Sequence, residues 1–118
     1  MIILLNVVAL MGRCTATPEL KHTKDGIAFS RFGIAVERDY KKEGKDRETD
    51  FPDIICWRHE AEFAAKYFEK GQLIAVQGNL QTRTYKDTDG KNHKVVEIHA
   101  DELYSADYKK AGKADAKQ

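Results

Sequence analysis

Glu60-Ala61-Glu62-Phe63-Ala64-Ala65-Lys66-Tyr67-Phe68-Glu69-Lys70-Gly71 is the stretch on which the fold turns. Ala61, Ala64, Ala65 and Phe68 recur at helical spacing among good helix formers, and Lys70-Gly71 supplies a stop, so a helix is predicted over 60–69. Glu60, Glu62 and Glu69 form its wet side. Everything around it reads as strand, turn or loop.

Three strands are expected before this helix. Residues 2–11 are apolar at odd and even positions alike, apart from Asn6, which predicts a strand buried on both faces, as in a barrel wall or a subunit interface, and ended or kinked by Gly12. Thr15 to Gly26, with Pro18 and Asp25-Gly26, carries turn chemistry. From Ala28 to Arg38, Phe32, Ile34 and Val36 alternate with Arg31, Gly33, Ala35 and Glu37, giving one apolar face and one small or polar face. Asp39 to Asp50 mixes Lys41, Lys42, Lys45 and Arg47 with acidic residues around Gly44, and an exposed loop is expected. In Phe51 to Trp57, Ile54 and Cys56 share one face while Phe51, Asp53, Ile55 and Trp57 share the other.

Two strands follow the helix. Leu73 to Tyr85 sets Ile74, Val76 and Leu80 against Gln77, Asn79, Gln81, Arg83 and Tyr85, Asp89-Gly90 marks a hairpin turn, and a last strand runs from about His93 to Tyr104. Three strands, a helix and two strands predict an all-β domain with one short helix: an OB-fold, a five-stranded Greek-key barrel with its helix between strands 3 and 4. The folded domain is expected over 1–106, and 107–118 reads as a short, flexible Lys/Ala tail.

Composition limits the function classes. With 42% hydrophobic and 33% charged residues, the chain reads as a soluble domain, and a formal net charge of +1 gives no whole-molecule attraction to nucleic acid. Cys14 and Cys56 lack CxxC spacing, as suits a reducing, cytoplasmic setting. The apolar start lacks a basic n-region and a small-residue cleavage site, and it is shorter than the roughly 20 residues of a membrane-spanning helix. No GxGxxG, P-loop, nucleophile elbow or HExxH occurs, and His22, His59, His93 and His99 lack metal-ligand spacing. His93 and His99 can share a strand face and read as surface histidines. The expectation is a protein without catalytic residues, metal or cofactor.

Tyr40, Phe51, Trp57 and Tyr85 stand at strand ends or opposite the apolar positions, where a core would not put them. A ring so placed packs a subunit interface, caps the barrel or stacks a nucleic-acid base, and such stacking is worth roughly 1–3 kcal/mol and works for every base. Cations interleave with the rings: Arg31 and Arg38 precede Tyr40, Lys41 and Lys42 follow it, Arg58 follows Trp57, and Arg83 and Lys86 flank Tyr85. Rings that stack bases and cations that neutralise phosphates make a groove for single-stranded nucleic acid. Asp39, Glu43 and Asp87 dilute the charge.

Further segments carry a resemblance. Asn6-Val7-Val8-Ala9-Leu10-Met11-Gly12-Arg13, Thr17-Pro18-Glu19-Leu20-Lys21 and Phe32-Gly33-Ile34-Ala35-Val36-Glu37-Arg38 come first in the chain. Asp50-Phe51 through Cys56-Trp57-Arg58, Lys70-Gly71 and Gly78-Asn79-Leu80-Gln81-Thr82-Arg83-Thr84-Tyr85 come later. Across about residues 1–104 the chain resembles bacterial single-stranded DNA-binding proteins. The resemblance implies an OB-fold protomer of a homotetramer, or dimer of dimers, that wraps single-stranded DNA without sequence preference in replication, recombination and repair. It implies no cofactor, and it places Tyr40, Phe51, Trp57 and Tyr85 on the family's base-stacking positions. An alternative on the same fold is a primosome-type accessory protein, an interaction module for which DNA is secondary.

Two residues depart from the family pattern. Asp53 stands where a polar or basic residue is more usual, and Asn79 replaces a commonly basic one. Family members typically continue into a Gly/Pro/Gln-rich linker and an acidic tip that recruits repair proteins, whereas this sequence closes on Ala114-Asp115-Ala116-Lys117-Gln118. The expectation is a trimmed or tailless version without tip-mediated recruitment, from the bacterial cytoplasm or nucleoid or encoded by a phage or mobile element.

Overall fold

The computed structural model describes residues 4–39 and 48–106. In chain order they form β1 (Val8–Cys14), β2 (Lys21–His22), β3 (Ala28–Glu37), β4 (Thr49–Asp50), β5 (Asp53–Trp57), α1 (His59–Tyr67), β6 (Leu73–Lys86) and β7 (Asn92–Ser105). β3 pairs antiparallel with β1 on one side and with β5 on the other. β5 runs parallel to β7, β7 pairs antiparallel with β6, and β6 returns to β1. The circuit β1-β3-β5-β7-β6-β1 closes a five-stranded barrel with α1 between its third and fourth strands, which is the OB-fold. The two-residue strands β2 and β4 only extend β3.

The apolar faces read from alternation line the interior. Ile34, Ile54, Cys56 and Ile74 are fully buried, and Phe32, Val76 and Ile98 nearly so. α1 packs against them with Ala61 and Ala64, whose small side chains let the helix approach closely. Phe68, the residue after α1, lies edge-on to Phe32 with ring centroids 6.4 Å apart. It is extended (φ −103°, ψ 148°), so the helix stops there, earlier than 60–69 predicts. Buried Gln72 then ties the segment to β7: its Oε1 accepts the Glu69 N–H at 3.1 Å and its Nε2 donates to Ser105 Oγ at 3.0 Å.

The first strand differs from expectation. It starts at Val8 rather than residue 2, runs through Gly12 to Cys14, and buries one face only. Leu4, Leu5, Val7 and Met11 are 86%, 85%, 61% and 56% exposed in the protomer, so of the two expectations for this run the barrel wall buried on both faces does not hold and the subunit interface is the one left. Gly12 does not end the strand. A Cβ there would lie 2.5 Å from the Ala35 carbonyl oxygen, so glycine lets β1 and β3 close together.

The strand expected over 51–57 starts only at Asp53, because Phe51-Pro52 separates β5 from β4, and β4 itself falls at the end of the expected loop. Leu80, expected in the core, is 41% exposed. Residues 40–47 of the expected loop and the tail 107–118 lie outside the described residues.

Candidate nucleic-acid interface

Strand register assembles the site. Across β3, β5, β7 and β6 the outward residues meet as Phe29 opposite Trp57, Arg31 opposite Ile55, and Gly33 opposite Asp53. The row continues with Ile55 opposite His99 and Asp53 opposite Glu97. It ends with Asn79 opposite His99, Gln81 opposite Glu97, Arg83 opposite Val95 and Tyr85 opposite His93. Trp57, Arg31, Arg83, Tyr85, Asp53 and Asn79 therefore lie on one continuous outer face, as alternation predicts.

The rings are held differently from one another. Trp57 is half-buried, tilted on Phe29 with centroids 5.6 Å apart, and has the His99 ring 21° from parallel with its centroid 6.5 Å away. Its Nε1–H donates to His99 Nδ1 at 3.3 Å. Tyr85 is 46% exposed and stacks on His93 at 5.2 Å, with the Arg83 guanidinium 5.8 Å from its ring centre. His93 Nε2 in turn meets Asp87 Oδ2 at 2.6 Å, a hydrogen bond that holds the Asp87 carboxyl below its ordinary range. Phe51 is 67% exposed, lies between β4 and β5 rather than in the strand ladder, and lines a cleft of about 530 Å³ at the barrel mouth with Val8, Leu10, Asp53, Leu80 and Val96. Tyr40 lies outside the described residues, as do Lys41 and Lys42.

The cations are less available than the sequence suggests. Glu97, 3% exposed at the centre of the face, forms ion pairs with both Arg31 and Arg83. Burial pushes its carboxyl up, but hydrogen bonds from Arg83 and Arg31, and then their charges, outweigh burial and hold it below its ordinary range. Arg38 is likewise paired with Asp50 and Glu48. Arg58 and Lys86 are exposed at the ends of the face. Arg58 opens α1 with a positive φ of 55°, its N–H bonded to the Ala28 carbonyl at 2.7 Å.

Sequence reasoning missed Glu97, Phe29 and the two ring–histidine pairs. Alternation alone puts 93, 95, 97 and 99 on one face, and that signal was present. What it lacked was the strand register that brings His99 beside Trp57 and His93 beside Tyr85.

A closed OB barrel with half-exposed rings and arginines on one sheet face defines a class of oligonucleotide- and oligosaccharide-binding domains. Within that class the chain belongs to the Single-strand binding protein family, whose model matches residues 5–106. It is 42% identical over 100 residues to the single-stranded DNA-binding protein of Caldanaerobacter subterraneus subsp. tengcongensis, covering 85% of this chain and 67% of that one. It is 43% identical over 98 residues to single-stranded DNA-binding protein 1 of Lactococcus lactis subsp. lactis, covering 83% and 65%. Against single-stranded DNA-binding protein A of Bacillus subtilis it is 38% identical over 109 residues, covering 92% and 63%. The chain thus spans about two thirds of the length of the curated relatives it matches. No helix among the described residues is long and apolar enough to cross a membrane.

Proposed function

We propose that this chain binds single-stranded DNA without sequence preference, by stacking bases and neutralising phosphates, and performs no turnover. The observation that carries the reading is the continuous face on which Trp57, Arg31, Arg83 and Tyr85 lie opposite the core. Trp57 and Tyr85 are the sheet-face platforms, Phe51 takes a base at the barrel mouth, and Tyr40 is the fourth ring. Arg31, Arg38, Lys41, Lys42, Arg58, Arg83 and Lys86 meet phosphates, the paired arginines by sharing their remaining donors. With so many cations already paired, stacking supplies most of the affinity.

The exposed apolar strip Leu4, Leu5, Val7 and Met11 is the surface by which protomers assemble, in this reading into a homotetramer. Protection of single strands in replication, recombination and repair, in the cytoplasm, is the role that follows. The test uses the single tryptophan. Oligo-dT quenches Trp57 emission, more strongly than duplex DNA does, and affinity falls as salt rises. Absence of quenching and of any mobility shift at low salt overturns the reading.

A further inference from the structure

The indole of Trp57 is bonded through its edge as well as packed through its face. Its Nε1 can only donate, so His99 Nδ1, 3.3 Å away, must be the acceptor. In the neutral imidazole the proton then sits on Nε2, which lies 3.5 Å from Glu97 Oε1. Glu97 is buried, with 4% of its side chain exposed, and is fixed in turn by Arg31 and Arg83. The Trp57 bond therefore sets the tautomer of His99, whose Nε2 lies within ion-pair distance of the Glu97 carboxylate. The two ring planes are 21° apart and their centroids 6.5 Å apart, so His99 sits beside the N–H edge of the indole and nearly in its plane.

We propose that His99 is a positioning residue for the stacking ring, holding Trp57 at the angle at which it receives a base. The proposal rests on the single-strand reading above. It assigns a role to a side chain that composition and spacing treat as ordinary surface histidine. The physical basis is that a half-buried indole with its N–H unsatisfied would turn toward water, and each such turn removes the platform.

The test compares His99→Leu, which removes the acceptor, with His99→Asn, whose side-chain oxygen occupies the place of Nδ1. Each is made in the wild-type chain and with Trp57→Phe, which keeps a ring but has no N–H. In DNA-free protein the single indole N–H resonance reports the bond directly. Its exchange with solvent should quicken about tenfold in His99→Leu and stay slow in His99→Asn.

Affinity for fluorescein-labelled oligo-dT should fall about fivefold in His99→Leu with an unchanged salt slope, and recover to within about twofold in His99→Asn. With Trp57→Phe, the Leu substitution should cost nothing further. Melting temperatures measured alongside separate a folding defect from a local one. An equal cost of His99→Leu in both backgrounds, or an indole proton indifferent to it, overturns the proposal while leaving single-strand binding intact. Failure of the wild-type chain to hold oligo-dT overturns the single-strand reading and the role of His99 in it.

Discussion

Arg38 and Asp50 meet through two parallel contacts, Nε and Nη2 of the guanidinium each donating to one carboxylate oxygen at 3.0 Å. Nη1 completes the arrangement on Glu48 at 2.7 Å. The hydrogen bond from Arg38 holds the Asp50 carboxyl below its ordinary range, and the same contact raises Arg38. A cation expected to meet phosphate thus already faces two carboxylates. Asp50→Asn combined with Glu48→Gln should release it. Oligo-dT titrations at several salt concentrations should show tighter binding and a log–log slope steeper by roughly 0.7, the increment for one more single-strand phosphate contact. An unchanged slope would show that Arg38 does not reach the strand.

The two described rings at opposite extremes of packing should separate binding from stability. Phe51 touches little, so Phe51→Ala should leave unfolding free energy within about 0.5 kcal/mol while weakening oligo-dT binding by roughly 1–3 kcal/mol. Trp57 is packed on Phe29 and His99, so Trp57→Ala should cost binding and also about 2 kcal/mol of stability. Urea denaturation beside anisotropy titration measures both quantities.

Gly78 has no room for a side chain. A Cβ there would stand 2.0 Å from the His99 carbonyl oxygen, at the register shift where β6 and β7 bulge. Gly78→Ala should therefore lose about 2–4 kcal/mol, and thermal melting reads the loss. A melting temperature equal to that of wild type would show that the strands separate freely at this point.

Acid should dissolve the Glu97 hub. Its carboxyl titrates lower in the folded chain than its ordinary value of about 4.3, so the Arg31 and Arg83 pairs stabilise the fold above that pH. The contribution is lost as pH falls through the folded-state value. Glu97→Gln should be less stable than wild type by about 1–3 kcal/mol at neutral pH, and the two melting curves should converge once the pH falls below the folded-state value. A gap that persists unchanged in acid would rule out the ion pairs as its source.

Both thiols should be unreactive in the native protein. Burial pushes Cys14 up to about 11, and burial with the nearby Glu60 charge pushes Cys56 up to about 12, so neither forms thiolate at mildly alkaline pH. Ellman's reagent should label neither cysteine until denaturant is added, and fast labelling of either one would show that the barrel opens locally.

Some of this protein was determined by its sequence alone. The period of 2 in Arg31–Glu37, Asp53–Trp57 and Leu73–Tyr85, broken once by the helical period of Ala61, Ala64 and Phe68, specified the strands, the helix between them and which side chains face outward. Alternation needs only the local geometry of the chain, so Trp57, Arg83 and Tyr85 could be placed opposite the core from residues a few positions apart.

What lies across strands was decided by the tertiary structure. His99 is 42 residues from Trp57, and Glu97 is 14 from Arg83. Only the parallel pairing of β5 with β7 and the antiparallel register of β6 with β7 bring them together. The first strand shows the same boundary. Nine of the ten positions 2–11 are apolar, enough to suggest burial of both faces, yet a closed barrel has one interior, and Leu4, Leu5, Val7 and Met11 remain outside it. Local pattern fixes which way a side chain points, while barrel closure and register fix what it meets there.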